Sequence, residues 1–277
     1  ICASIGLPAG VLNIVNGYGP EVGQAIVEHP EIKAISFTGG TSTGKIVAAT
    51  AAPMFKKLSL ELGGKNSSIV SDDADLDVAV PGVLRASFLN SGQICLCGSR
   101  VLVHSSIYDD FMSRYLQELE DFEIGPVISD EHRSKVISYI ELAKQEGGII
   151  LAGGNIPDKI GAWIEPTVIA GLSHLSRTAT EEIFGPLVTI HKFDSDEEAI
   201  EMANSTQYGL AGSVWSKHKG MEIARKIESG MVWVNTWLHR DLRVPFGGVK
   251  DSGVGREGGM WSIGFFSEAV NICVMED

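Results

Sequence analysis

The chain has 277 residues, 44% of them hydrophobic, and a formal net charge of −13. Nucleic acid and anionic membranes attract clustered lysine and arginine, so this acidic composition argues against both as partners. No apolar run approaches the roughly 20 residues of a membrane span, and four scattered cysteines are too few for a disulfide scaffold, which favours the cytoplasm.

The first third of the chain alternates short apolar runs with helical stretches. Strands are predicted at 11–15, 33–37, 58–62 and 67–71, and helices at 21–29 and 45–52. Glycine- or proline-containing turns separate several of these runs. Strands that alternate with helices are typical of βαβ units, so the sequence predicts an α/β fold with a parallel sheet.

The same alternation continues to the end of the chain. Helices are predicted from 78 to 91 and at 108–119, 131–145, 196–205 and 220–229. Strands are predicted at 100–104, 147–154, 163–169, 187–193, 212–216 and 231–235. No low-complexity linker separates the two regions, so we expect them to pack closely. The last apolar stretch, 265–275, is β-prone and predicts an edge strand.

A glycine-rich turn follows the predicted strand at 33–37 and contains Gly39, Gly40 and Gly44. Glycines between a strand and a helix let backbone N–H groups approach a phosphate, which the helix dipole favours. The turn is not a G-x-G-x-x-G motif, and a purely structural turn is the commoner explanation for such a sequence.

Two further segments carry groups suited to catalysis. Glu61, just before Gly63 and Gly64, is a candidate general base, with a solvated turn residue as the alternative. Cys95 is a candidate nucleophile at the junction of a loop and a helix, with a buried inert thiol as the alternative. The Cys95-Leu-Cys97 spacing lacks a second ligand pair, so no metal site is predicted.

Seven segments, in chain order, resemble the NAD(P)-dependent aldehyde dehydrogenase superfamily. They are PAGVLNIVNGYGPEVG, SFTGGTSTG, LSLELGGKN, GQICLCGSR, EEIFGPL, YGLAGSVWS and VPFGGVKDSGVGREGG. The resemblance implies a partial Rossmann-like cofactor domain at 1–63, an α/β catalytic domain at 64–251 and a C-terminal segment at 252–277 with an oligomerisation strand. It also implies NAD as cofactor, a small-molecule aldehyde as substrate and a homo-oligomer as the assembly.

The resemblance assigns a role to each motif residue. Cys95 matches the thiol that attacks the aldehyde, and its backbone N–H supplies half of an oxyanion hole. Glu61 matches the base that activates water for thioester hydrolysis. The cofactor residues are Gly39 and Gly40 at the pyrophosphate turn, Thr43 and Gly44 at the start of the next helix, Glu182 on the nicotinamide ribose and Phe184 beside the nicotinamide ring.

A loop at 234–246 bears on the choice of aldehyde. It contains Arg240 and Arg243 with Asp241 between them, and with GQICLCGSR it resembles the branch that oxidises 2-aminomuconic or 2-hydroxymuconic semialdehyde. An arginine fork suits a substrate carboxylate. Arg240 lies five residues after Asn235, at the position expected to face the substrate, whereas Arg243 is expected to pair with Asp241 or an interface acid. The alternative is two surface arginines in a solvated loop.

The chain departs from the family pattern in two places. The family's usual N-terminal portion is absent, including an asparagine of the oxyanion hole and the groups that hold the adenosine ribose, so the chain resembles a C-terminal fragment. The segment at 119–126 is also shorter than usual. Residues 1–277 alone are therefore expected to turn over aldehydes poorly.

Two alternatives remain open: a truncated member that binds intact subunits through its C-terminal strand, and a thiol esterase that uses Cys95 and Glu61 without NAD.

Overall fold

A computed structural model describes residues 3–276 of the chain. Its strands are β1 (Ala34–Thr38), β2 (Lys57–Glu61), β3 (Ser67–Val70), β4 (Arg100–His104), β5 (Ile149–Ala152), β6 (Thr167–Ala170), β7 (Leu187–Phe193), β8 (Tyr208–Gly209), β9 (Ala211–Trp215), β10 (Met231–Val234), β11 (Val249–Lys250) and β12 (Gly253–Val254). Its α-helices are α1 (Gln24–Glu28), α2 (Thr41–Ala51), α3 (Leu76–Phe88), α4 (Tyr108–Glu120), α5 (Asp130–Gln145), α6 (Arg177–Thr180), α7 (Asp196–Asn204), α8 (Gly220–Ala224) and α9 (Gly259–Phe265). No described helix has the length and apolar character that crossing a bilayer requires.

A small sheet has the strand order β1-β2-β12. β1 and β2 are parallel, with Thr38 opposite Glu61, and β12 returns antiparallel to place Gly253 beside Glu61. Helices α1 and α2 cover this sheet through an apolar cluster of Val27, Ile35, Val47, Ala51, Leu60 and Leu62. The carboxyl ends of β1 and β2 therefore bring the glycine-rich turn and Glu61 side by side.

The large sheet has the order β10-β9-β3-β4-β7-β6-β5 and is parallel except for β5. Successive side chains of β4 enter different cores: Val101 and Val103 pack in the cluster that includes α3 and α4, whereas Leu102 packs in the cluster that includes α7 and α8. A strand covered on both faces contains a continuous apolar run, as the VLV at the centre of β4 does. The predicted α/β fold with a parallel sheet is confirmed.

The helix predicted to reach residue 91 ends earlier, at Phe88. Asn90 and Ser91 have φ values of 53° and 56°, and Gly92 has φ of 69°. Left-handed residues cannot continue a right-handed helix. The turn brings Gly92 so close to the next loop that a Cβ there would stand 2.2 Å from the carbonyl oxygen of Gly185.

Other predicted elements also differ from the structure. Residues 11–15 form no strand; their apolar side chains are exposed, and no neighbouring strand of the described chain pairs with them. β5 is shorter than predicted because it is flanked by Gly147 and Gly153, which have positive φ. β6 begins only after Pro166, which has no N–H for a sheet. The helix predicted at 220–229 ends at Ala224.

The apolar stretch at 265–275 pairs with no strand in the described part of the chain. Val270, Ile272 and Val274 are 78–79% exposed. Lys57 holds the start of the segment, because its Nζ donates to the carbonyl oxygen of Ser267 at 2.6 Å and pairs with Glu268 at 2.7 Å. An edge strand here stays a prediction that concerns an assembly of several chains.

Candidate active site

A cavity of about 520 Å³ lies between the small sheet and the loops of the large sheet. Six residues singled out from the sequence line it: Gly39, Gly40, Glu61, Cys95, Glu182 and Phe184. Thr43, Gly44 and Arg240 do not line it. The fold therefore gathers a thiol, two carboxylates and a glycine-rich turn from separate segments around one space.

Glu61 is the last residue of β2 and is only 4% exposed. Neither carboxylate oxygen has a hydrogen-bond partner among the described residues. Burial, reinforced by the charge of Glu257, raises its pKa to about 7, although Arg256 and Arg240 act in the opposite direction. A carboxylate with this pKa is suited to accept a proton near neutral pH.

The absence of a side chain at Gly247 makes room for the Glu61 carboxylate. A Cβ at Gly247 would stand 2.7 Å from Oε1 of Glu61, and φ at this glycine is 148°. The sequence VPFGG therefore contributes to the site through a missing side chain as well as through its neighbours.

Cys95 is partly buried in the turn that follows Gly92. Burial and the charges of Glu182 and Glu61 raise the pKa of its thiol to about 11. The thiol therefore keeps its proton at neutral pH unless a positive charge is brought into the cavity. Because the thiolate is the nucleophilic form, such a charge would make Cys95 more reactive.

Cys97 does not line the cavity. It is 6% exposed, and burial raises the pKa of its thiol to about 12. Two residues after Cys95, it is therefore the inert, buried thiol of the pair. Cys2 lies outside the described residues, and Cys273 is an exposed free thiol.

Asn66, which our sequence reasoning missed, fixes the turn that carries Cys95. Its Nδ2 donates to the carbonyl oxygens of Cys95 at 2.8 Å and Cys97 at 2.9 Å, and its Oδ1 accepts from the backbone N–H of Ala211 at 3.0 Å. Trp237 adds a bond from Nε1 to the carbonyl oxygen of Leu96 at 3.0 Å. The position of Asn66 directly after the ELGGK motif was the available signal.

Glu182, unlike Glu61, has a hydrogen-bond partner. The backbone N–H of Gly64 donates to Oε1 of Glu182 at 3.0 Å, and a Cβ on Gly63 would stand 2.3 Å from Oε2. Burial raises the pKa of Glu182, with the Gly64 bond, Lys135 and Lys65 acting against it. The two glycines of ELGGK therefore allow this carboxylate to approach the backbone.

Phe184 has φ of 62°, a rare conformation for a residue with a side chain. Its carbonyl oxygen lies 2.6 Å from Nε2 of His132, and the two rings meet edge to face with centroids 6.2 Å apart. Local backbone strain is common at ligand sites. The conformation of Phe184 places this residue, which is 39% exposed, at the cavity wall.

The glycine-rich turn leads directly into α2. Gly40 precedes the helix, no side chain caps it, and a Cβ at Gly40 would meet nothing within 4 Å. Uncapped N–H groups at the start of an 11-residue helix, beside open space, fit a phosphate group. Gly44 packs instead against Leu62, and Thr43 is exposed.

Arg240 lines a neighbouring cavity of about 510 Å³, which also contains Glu257. Its charge acts on both Cys95 and Glu61, lowering the pKa of each against the effect of burial. Arg243 is bound instead by Asp241, with Nε to Oδ1 at 2.9 Å, which confirms the expected pairing.

Comparison with known proteins gives a consistent family. The aldehyde dehydrogenase family model matches residues 1–272. A 2-aminomuconic 6-semialdehyde dehydrogenase of Pseudomonas sp. is 46% identical over 100% of this chain and 60% of its own length. The human 2-aminomuconic semialdehyde dehydrogenase is 46% identical over 97% of this chain and 59% of its own length. The chain spans about 60% of these relatives.

Solved structures agree with the fold. Betaine aldehyde dehydrogenase from Staphylococcus aureus in complex with NAD+ matches 94% of this chain and 55% of its own, with 42% identity and a TM-score of 0.91. PnpE in complex with nicotinamide adenine dinucleotide matches 96% of this chain and 58% of its own, with 40% identity and a TM-score of 0.93. At these scores the α/β arrangement and the order of its elements are shared.

Proposed function

The chain belongs to the aldehyde dehydrogenase family, and we propose that it carries the catalytic residues of an enzyme that oxidises an aldehyde to a carboxylic acid with NAD. The observation that carries this proposal is the shared cavity of Cys95, Glu61, Glu182 and Phe184. The proposed substrate is a small aldehyde with a carboxylate, such as 2-aminomuconic semialdehyde.

Cys95 begins the proposed reaction. Its thiol first loses its proton to solvent, the resulting thiolate adds to the aldehyde carbon, and the new oxyanion accepts a hydrogen bond from the backbone N–H of Cys95. When bound, NAD would supply a hydride acceptor and a cationic ring that offsets the negative charges around the thiol. Loss of hydride from the thiohemiacetal leaves a thioester on Cys95.

Glu61 acts in the second half of the reaction. Its carboxylate accepts a proton from water while the water oxygen adds to the thioester carbonyl, and collapse of that adduct expels the Cys95 thiolate with the carboxylic acid. A pKa of about 7 leaves a large fraction of Glu61 ionised at neutral pH, and its free oxygens are available to a water molecule.

The cofactor would be held from two sides. The uncapped start of α2 and the open space at Gly40 suit its pyrophosphate, and Glu182 suits the ribose hydroxyls as an acceptor. Phe184 would pack beside the nicotinamide ring. Thr43 and Gly44 would contribute through the first turn of the helix rather than by lining the cavity.

Arg240 is the proposed contact for the substrate carboxylate. Of the two arginines in the loop, Arg243 is already bound to Asp241, whereas Arg240 forms no ion pair with a described residue and lines the neighbouring cavity, from which its charge acts on Cys95 and Glu61. The names of the relatives, which are dehydrogenases of muconic semialdehydes, support the same substrate class.

The assembly and organisation of the protein are part of the proposal. The exposed apolar residues Val270, Ile272 and Val274 suit a strand that pairs with a second copy of the chain, giving a homo-oligomer. We divide the chain into a cofactor-binding part at 1–63, a catalytic part at 64–251 and a C-terminal segment at 252–277. Free thiols at Cys95 and Cys97 suit the cytoplasm.

A burst experiment on the native protein tests the order of these steps. Glu61→Gln is expected to retain a pre-steady-state burst of NADH and to slow steady turnover, because the base acts after hydride transfer. Cys95→Ser is expected to abolish the burst, with Cys97→Ser as the matched control that retains it. Loss of the burst in Glu61→Gln, or equal loss in both cysteine variants, would contradict the assignment.

A further inference from the structure

The guanidinium of Arg240 lies over the ring of Phe246. Its central carbon is 4.1 Å from the ring centroid, a separation that fits a stacked cation–π contact. Because such a contact uses the face of the guanidinium, the N–H donors in its plane remain available. The stack therefore leaves free the edge with which an arginine binds a carboxylate.

Phe246 is itself firmly fixed. Its backbone N–H donates to the carbonyl oxygen of Glu257 at 2.9 Å, and its carbonyl oxygen accepts from the N–H of Glu257 at 2.7 Å. Its ring packs against the main core of the large sheet. On the other side of the loop, Nε1 of Trp233 donates to the carbonyl oxygen of His239, next to Arg240, at 2.9 Å.

The loop itself is shaped by unusual backbone conformations. Asn235 and Leu238 have φ values of 53° and 60°, and the Asn235 side chain bonds both the N–H and the carbonyl oxygen of Ser216, at 2.9 Å and 2.8 Å. Strained backbone at Asn235 and Leu238 therefore sets the path of the chain into residues 239–246.

We infer that Phe246 is a positioning residue for substrate selection, whose ring holds the guanidinium of Arg240 ready to bind the carboxylate of a semialdehyde. A free, exposed arginine has many rotamers and loses that freedom when it binds an anion. A ring that restricts the side chain beforehand removes part of this loss. The inference rests on the proposed function and adds to it the residue that prepares the contact.

Phe246→Leu in the native enzyme tests the inference, because leucine keeps an apolar side chain and removes the ring face. The kcat/KM for a carboxylate-bearing semialdehyde should fall about 2- to 5-fold more than that for a neutral aldehyde of equal chain length, mainly through KM. Phe246→Tyr should retain the wild-type ratio. Trp163→Leu, which removes the distant Lys159–Trp163 stack, is the matched control and should leave the ratio unchanged.

Arg240→Ala separates this inference from the proposed function. It should lower kcat/KM for the anionic substrate selectively, and in its background Phe246→Leu should not change the ratio further. If Phe246→Leu lowers kcat/KM equally for both substrates while Arg240→Ala lowers it only for the anionic one, the positioning role is wrong and the substrate class stands. If the full effect of Phe246→Leu persists without Arg240, the ring acts on substrate directly and the inference is overturned. An equal fall in kcat/KM for both substrates in Arg240→Ala would refute the substrate class itself.

Discussion

The two carboxylates of the cavity, Glu61 and Glu182, are held in opposite ways. Glu182 accepts a backbone hydrogen bond from Gly64, whereas both oxygens of Glu61 are buried without a partner in the described chain. A fixed carboxylate suits a binding contact, and one without hydrogen-bond partners suits proton transfer because no hydrogen bond stabilises its charged form. This difference in environment supports the separate roles proposed for these two chemically similar side chains.

Glu61 should make the stability of the native protein depend on pH. Its pKa rises on folding from 4.5 to about 7, so the folded state binds more protons between these values, and stability falls as pH rises through them. Glu61→Gln should therefore be more stable than the wild type at pH 8, by about 1–2 kcal/mol after allowance for solvent screening. The two proteins should converge below pH 4.5.

Urea unfolding at several pH values, without substrate or cofactor, measures this difference. Glu120→Gln removes an exposed carboxylate at the end of α4 and should change stability by no more than about 0.5 kcal/mol at any of these values. If wild type and Glu61→Gln differ in free energy of unfolding by the same amount at pH 5 and at pH 8, burial does not raise the pKa of Glu61.

The turn at 89–97 depends on contacts with other segments of the chain. Asn66 and Trp237 hold this turn through its backbone carbonyl groups, and a Cβ on its Gly92 would collide with the backbone of Gly185. The direction of the thiol is therefore set by the β2–β3 connection and the loop after β10. A small displacement of any of these segments moves the sulfur of Cys95.

Asn66→Ala should slow hydride transfer about 10- to 100-fold, because a displacement of the sulfur of about 1 Å is costly to a positioned reaction. The KM for NAD should change little, since Glu182 is bonded by Gly64 and not by Asn66. Stopped-flow measurement of the NADH burst tests both expectations. Asn155→Ala, which removes only an exposed bond to Glu165, is the control. An unchanged burst rate in Asn66→Ala would dismiss the positioning role.

Sequence patterns predicted some elements to the residue and others poorly, for physical reasons. β4 and β7 match their predicted bounds because each is a largely buried strand whose apolar residues are visible in the sequence. The end of α3 does not, because it is fixed by the approach of Gly92 to Gly185, a tertiary contact. Motifs located Glu61, whereas its lack of partners depends on the burial that the whole fold produces.

The small sheet is completed by a strand from the C-terminal third of the chain. β12 pairs with β2 beside Glu61, and the backbone N–H of Leu62 donates to the carbonyl oxygen of Ser252 at 2.9 Å. The small sheet has its own apolar cluster, separate from those of the large sheet. Polar contacts across this boundary therefore help to fix the site between the two sheets.

Ser252 is one such contact, and it is fully buried. Its Oγ donates to the carbonyl oxygen of Gly63 at 2.6 Å and accepts from the backbone N–H of Gly209, in the strand just before β9, at 3.0 Å. Ser252→Ala leaves both backbone groups buried without this partner, so urea unfolding should show a loss of about 2–3 kcal/mol. The exposed Ser267→Ala should cost no more than about 0.5 kcal/mol. Because Gly63 touches the Glu182 carboxylate, Ser252→Ala should also raise the KM for NAD, and a loss of stability with no change in that KM would mean that the contact holds the sheets together without shaping the cofactor site.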